Sequence, residues 1–430
     1  MFDYKTFCKR MPKCEFNVRW EACIKKSMLL TLEEHRRSLG EPELTPEQRK
    51  LLWAYGEPRD MKEALRSMSL VHDMIRLQED VFAITKDIID RYHADNVVYL
   101  ELRVKPCESN ELSPETFLRK VIQAIRSAKA LYSNMIVKVL VTAELQRETE
   151  KVKRIFDLVM VLGKTRKSKN LPDSEIINGI ELIGNLNEVD MYQLQKMIAE
   201  VQEESELIIV FNLLQINDDV NQLYDILLFN PDRISNAEML SDVNQNQNNE
   251  IHRHAVIDRL LSTKLPIEFS YTFNRLNCPR DKKPIWPDHF RQLFSMKYPI
   301  ILSATKFNEL LKNKTCISYL QVLQTGYSEL LGCSLSDEYY HLAISINLKP
   351  IDIFKLSLTA SFLTEKTPRN GKHEFFPFTQ QYDEFANWYN LENSNEWKFQ
   401  ILRNYQFFLS RPLTSRRKRR RRRIIDHLCL

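Results

Sequence analysis

The side chains best suited to acid–base or metal chemistry are unevenly spread along this sequence. Of nine histidines, none falls between His93 and His252, and no aspartate falls between Asp288 and Asp337. His252 and His254 form an H-x-H pair, but they open a helical pattern, in which residues two apart point to roughly opposite sides and do not share an ion. His72 and His341 lie within helical patterns and read as packed or hydrogen-bonded structural residues. The eight cysteines (Cys8, Cys14, Cys23, Cys107, Cys278, Cys316, Cys333, Cys429) lack paired metal-ligand spacing and read as free thiols, with no disulfides expected. Glu101 and Arg103, alternate residues of one apolar run, face the same side of a strand and read as part of a buried ion-pair or hydrogen-bond network.

The run Arg416, Arg417, Lys418, Arg419, Arg420, Arg421, Arg422, Arg423 reads as a nuclear-import signal, ahead of a nucleic-acid contact or a solvated end with no partner. It lacks interleaved aromatics, so recognition by base stacking is unsupported.

Apolar runs that read as buried strands alternate with longer amphipathic stretches that read as helices, the pattern of parallel βα units. The strand candidates are Lys13–Arg19, Asn96–Val104, Met135–Thr142, Ile177–Ile183, Leu207–Leu213, Asp232–Asn236, Pro266–Ser270 and Pro299–Ser303. Helical patterns cover Ser113–Tyr132, Glu148–Leu162, Val189–Glu203, Asn217–Phe229 and Ile251–Leu261, each with an apolar stripe suited to a sheet. Eight units imply an α/β fold, a TIM (β/α)₈ barrel. A helical insertion, Cys23 to Arg91, follows strand one, and C-terminal helices fill Ser336 to Arg411. One barrel domain is expected over 8–411 and a disordered basic tail over 412–430, with a polar surface loop at Asn244–Asn249.

Hydrophobic residues make up 43% of the 430-residue chain and charged residues 28%, the balance of a soluble globular protein. The net charge of +5 is carried by the basic run, and without it the rest is slightly acidic. The opening Met1-Phe2-Asp3-Tyr4-Lys5 is too polar for a signal peptide, and no apolar stretch is long enough to span a membrane. The expected location is nucleus or cytoplasm, without secretion or membrane association.

Several segments together resemble the adenosine deaminase family, from about residue 8 to residue 360. Met11-Pro12-Lys13-Cys14-Glu15-Phe16-Asn17-Val18-Arg19-Trp20 has the frame of that family's first barrel strand. Tyr99-Leu100-Glu101-Leu102-Arg103, Gly179-Ile180-Glu181-Leu182-Ile183-Gly184-Asn185, Asn230-Pro231-Asp232-Arg233-Ile234 and Ser334-Leu335-Ser336-Asp337-Glu338-Tyr339 follow in order. The Y-L-E-L-R form is most similar to the adenosine deaminase-like branch, which acts on N-methylated adenosine monophosphate.

The resemblance implies a mononuclear zinc site at the C-terminal ends of the strands, where the metal lowers the pKa of its water and a carboxyl group protonates the purine. The residues at those positions have changed. Asn17 and Arg19 stand at the strand-one H-x-H pair, Asn212 at a third ligand, Gln215 at the proton donor and Asn236 at the histidine that steers water. The paired aspartates become Ala304 and Thr305, or Gly326 and Tyr327 if strand eight is instead Ser318–Gln324. Of the purine-contacting set, Gly184 persists clearly.

Arg19 opposes a metal: a guanidinium about 4 Å from a divalent ion costs roughly 8 kcal/mol at an effective dielectric of about 20. It is expected to pair with a barrel carboxylate such as Glu181, in preference to receiving a phosphate. Together these changes predict a lost zinc site, no cofactor and no enzyme. The expected protein is a catalytically inactive, adenosine deaminase-like pseudoenzyme of purine nucleotide metabolism, a binding or interaction protein. Its expected partners are another protein, an import receptor for the tail or a purine nucleotide. The alternatives are a zinc-dependent adenosine or N-methylated AMP deaminase, and a nucleic-acid-associated protein that binds through the tail.

Overall fold

The computed structural model describes residues 2–163 (except 54, 56–60, 110 and 146–147), 175–213, 220–235, 255–269 (except 257, 261–262 and 264), 321–361 (except 324–327 and 331), 364 and 378–391 (except 390). Eight strands run parallel: β1 (Lys13–Arg19), β2 (Val97–Val104), β3 (Ile136–Leu145), β4 (Ile177–Gly184), β5 (Ile208–Asn212), β6 (Arg233–Ser235), β7 (Ile267–Phe269) and β8 (Gln321–Leu323). They pair strictly in sequence order. A parallel ladder in chain order with helices between its strands is the TIM-type barrel the sequence predicted. Every residue of β1, β2 and β4 is buried, as expected where side chains point either into the barrel or under the helices.

The predicted strand Pro299–Ser303 lies outside the described residues. β8 instead falls inside the other segment considered, Ser318–Gln324. The loop Asn244–Asn249, the pair His252 and His254, and the tail also lie outside the described residues.

The insertion after β1 consists of α2 (Lys26–Ser38), α3 (Pro46–Trp53), α4 (Met61–Asp73) and α5 (Gln78–Ala94), after a short α1 (Tyr4–Arg10) ahead of the barrel. Between β1 and the insertion, Trp20–Cys23 form a 3₁₀ turn. Trp20 Nε1 donates to Thr85 Oγ1 of α5 at 2.9 Å, so the insertion is fastened beside the end of β1.

Outer helices start where local chemistry supplies caps. Ser113 Oγ accepts from the Thr116 amide ahead of α6 (Pro114–Leu131), and Asp190 accepts from the Tyr192 and Gln193 amides at the start of α8 (Met191–Glu204). Helices α7 (Thr149–Leu162) and α9 (Val220–Leu228) complete this layer. Of the pattern Ile251–Leu261, residues 255–256 and 258–260 are helical.

Beyond β8 come α10 (Leu335–Ile346), α11 (Pro350–Ser361) and α12 (Thr379–Trp388). Ser334 and Asp337 cap α10 reciprocally. Ser336 Oγ donates to Asp95 Oδ1 at 2.7 Å, tying α10 to the turn before β2. Helix α11 packs on both β1 and β8, the two ends of the ladder. Among the described residues no helix is long and apolar enough to cross a membrane.

Candidate functional site

Active sites of such barrels sit at the C-terminal ends of the strands, where side chains from different strands converge. Here the convergence is ionic. Glu181 of β4 is fully buried, and its Oε1 accepts from Arg19 Nη2 of β1 at 2.7 Å, Arg103 Nη1 of β2 at 2.6 Å and Asn212 Nδ2 of β5 at 2.9 Å. Its Oε2 accepts from Thr142 Oγ1 of β3 at 2.7 Å. The predicted Arg19–Glu181 pair is thus present. Asn212, expected at a ligand position, joins the same carboxylate.

Arg103 continues the network. It donates to Ser235 Oγ of β6 at 2.9 Å, to the Phe16 carbonyl at 3.3 Å and to the Glu268 carboxylate of β7. Glu268 also faces Arg233 Nη1 at 3.2 Å, and Arg233 donates to Glu101. Glu101 accepts further from Tyr99 Oη at 3.0 Å and Asn178 Nδ2 at 3.1 Å. Glu101 and Arg103 therefore belong to one buried network, as their alternation on β2 predicted.

Burial pushes the Glu181 carboxyl up, but the Arg19 and Arg103 guanidinium groups, with Asn212 and Thr142, overcome it and hold the group down at about 2. Glu268 goes the other way: burial raises its carboxyl in spite of Arg103 and Arg233. Glu21, just past β1, adds a second carboxylate 3.6 Å from Arg19.

Asn17 is buried in β1, where its backbone amide donates to Glu15 Oε1 at 3.2 Å. Gln215, Asn236, Gly326 and Tyr327 lie outside the described residues, as do Ala304 and Thr305. Gly184 closes β4 opposite Leu145, with φ +133°, and a Cβ there would lie 2.7 Å from the Leu145 carbonyl oxygen. Its backbone conformation and this close approach both demand glycine, whatever it contacts.

His72 is held structurally, as predicted, with Nε2 at 3.1 Å from the Lys105 carbonyl and 3.2 Å from Cys107 Sγ. His341 is itself exposed, on the otherwise largely buried α10, with its ring beside that of Tyr340. Cys8, Cys14, Cys23, Cys107 and Cys333 are free thiols.

The zinc implied by the family does not fit the donors that β1 and β5 provide. A guanidinium has no lone pair to give and carries a fixed positive charge, and two carboxamides cannot replace imidazoles. Among the described residues no group of three or more His, Cys, Asp or Glu is placed to hold a metal ion. Sequence reading missed Thr142, Arg233, Ser235 and Glu268. The available signal was a carboxylate at Glu268 and a cation at Arg233, each inside a strand candidate.

A parallel (β/α)₈ barrel with polar side chains converging at its C-terminal mouth defines the class. The adenosine deaminase family model matches residues 12–182. The N6-methyl-AMP deaminase of Danio rerio is 22% identical over 303 residues, 69% of this chain and 80% of the relative. The apo N6-methyl-AMP deaminase of Arabidopsis thaliana superposes with a TM-score of 0.65 at 18% identity, over 91% of this chain and 99% of that one. The Arabidopsis ADAL complexed with IMP gives 0.65 at 20% identity, over 88% of this chain and 97% of that one. The chain is thus similar to the adenosine deaminase family in sequence over residues 12–182 and shares the barrel fold of its N6-methyl-AMP deaminase relatives.

These findings correct one expectation. The changed residues predicted a chain that is not an enzyme, yet the relatives it aligns with across most of its length are named as N6-methyl-AMP deaminases. That expectation rested on residue types at the family's metal and proton-transfer positions, and of these Gln215, Asn236 and both candidate places for the paired aspartates lie outside the described residues. Residue types at strand ends bear on how a metal is held, and are not a measure of activity.

Proposed function

We propose that this chain is a purine-nucleotide protein of the N6-methyl-AMP deaminase type, which takes a purine nucleoside monophosphate at the C-terminal mouth of its barrel. The observation that carries the reading is the alignment with relatives of that name over 69–82% of this chain. It is supported by structural neighbours described as complexes with GMP and IMP.

The reaction in the relatives' name replaces the 6-amino substituent of the purine by oxygen from water, N6-methyl-AMP and water giving IMP and methylamine. It is the first activity to assay here. Since β1 offers no zinc ligands, the group that activates water in this chain has to come from outside the strand-one pair.

The test is calorimetric titration of the full chain with AMP, N6-methyl-AMP and IMP against UMP, with analysis of N6-methyl-AMP mixtures for IMP and methylamine. Saturable binding of the purine nucleotides and not of UMP supports the reading. No purine preference overturns it.

A second reading concerns location. Eight consecutive cations at Arg416–Arg423 suit the acidic surface of an import receptor, which supports a nuclear-import role. A tagged chain should be nuclear and its 412–430 deletion cytoplasmic. Even distribution of both contradicts it.

A further inference from the structure

We infer that the guanidinium of Arg19 is the resident cation of this barrel's mouth, held on Glu181 where relatives of this fold would place a metal, and that the chain binds no divalent ion there. The inference is independent of the nucleotide reading.

Three observations carry it. Arg19 is the last residue of β1 and is only 3% exposed, so its charge lies in the barrel interior. A buried charge persists only when it is paired and hydrogen-bonded. Glu181 provides that partner at 2.7 Å, and Glu21 adds a second carboxylate 3.6 Å away.

The second observation is saturation. Glu181 Oε1 already receives three donors, from Arg19, Arg103 and Asn212, and Oε2 receives Thr142. A metal would have to displace donors from both oxygens. It would also sit against two guanidinium groups whose charge no accessible pH removes.

The third is that two substituted positions act together. Asn212 and Arg19 lie on strands four apart in the ladder, yet both end on the same carboxylate oxygen. An imidazole at either place would present a lone pair to an ion, whereas the amide and the guanidinium present N–H groups to an anion. The polarity of this site is inverted, from groups that surround a cation to groups that surround a carboxylate.

The test uses the full chain, purified without a metal-affinity tag and dialysed. Elemental analysis should find no stoichiometric zinc. Melting of the wild type should be unmoved by added zinc or by EDTA. Arg19→Met and Glu181→Gln should each lower the melting temperature, and the double variant by less than their sum, because each single change strands the other partner. Arg19→Lys, which keeps the charge, should recover part of the loss and serves if Arg19→Met fails to fold.

One equivalent of zinc that survives dialysis in the wild type and is lost in Glu181→Gln would overturn the inference. So would additive effects of the two substitutions.

Discussion

The two ends of β1 each bury a cation, and they do so by different means. Lys13, at the N-terminal end, is fully buried and donates to the carbonyls of Met11 at 2.7 Å, Cys8 at 2.9 Å and Lys9 at 3.3 Å, at the C-terminus of α1. Carbonyls left open at a helix end, together with its dipole, favour a positive group. Arg19, at the other end, rests on a full carboxylate.

Their electrostatics differ accordingly. Burial lowers Lys13 to about 8, with Asp95 only partly offsetting it, so this ammonium lies within reach of ordinary titration. Arg19 stays charged, and the carboxyl beside it is held at about 2. The lower end is built from backbone carbonyls and fastens α1 to the barrel. The upper end is built from side-chain charge, and side chains are what substitution can re-assign.

The largest effect should come from breaking the upper end. Glu181→Ala leaves Arg19 and Arg103 buried against a cavity and should cost about 3–5 kcal/mol, read from urea unfolding. A loss below about 1 kcal/mol would mean that the ion cluster relaxes into water.

Next in size is Gly184→Ala. The added Cβ meets the Leu145 carbonyl at 2.7 Å in a positive-φ conformation, and a loss of about 1–3 kcal/mol is expected. Lys13→Met should cost a similar 1–3 kcal/mol, roughly the desolvation of carbonyls left without a donor. If Lys13→Met were neutral, the contrast between the two ends would lose its lower half.

The pH dependences have opposite windows. Glu181 has a folded value below its ordinary 4.5, so its contribution is complete above about 4.5 and is lost as pH falls towards 2. Lys13 is lowered from 10.5 to about 8, so the unfolded chain holds the proton more tightly and stability from this group rises as pH climbs from 8 towards 10.5. Urea midpoints across pH should show both limbs, with Glu181→Gln flattening the acid one and Lys13→Met the alkaline one. The smallest effect should be that of deleting 412–430, which should shift unfolding by no more than about 0.5 kcal/mol.

Much of the barrel was legible because buried parallel strands are short apolar runs between longer amphipathic ones. Lys13–Arg19 matches β1 to the residue, and Ile177–Ile183 misses β4 only by Gly184. Strand eight was ambiguous because two apolar segments competed, and β8 is only the three residues Gln321–Leu323.

The Arg19–Glu181 pair could be read because a cation at one strand end needs a carboxylate within the same barrel. Glu268 and Ser235 could not, since they sit on strands of only three residues, β6 and β7, too short to show which face a side chain takes. The expectation of no enzyme went further than residue types allow, since several of the positions it used lie outside the described residues.

The most direct measurement is titration of the dialysed full chain with IMP, with and without EDTA. One saturable purine-nucleotide site of unchanged affinity in EDTA is expected, with no binding of UMP. Absence of a saturable site, or binding that vanishes with the chelator and returns with zinc, would contradict a nucleotide-binding mouth whose cation is Arg19.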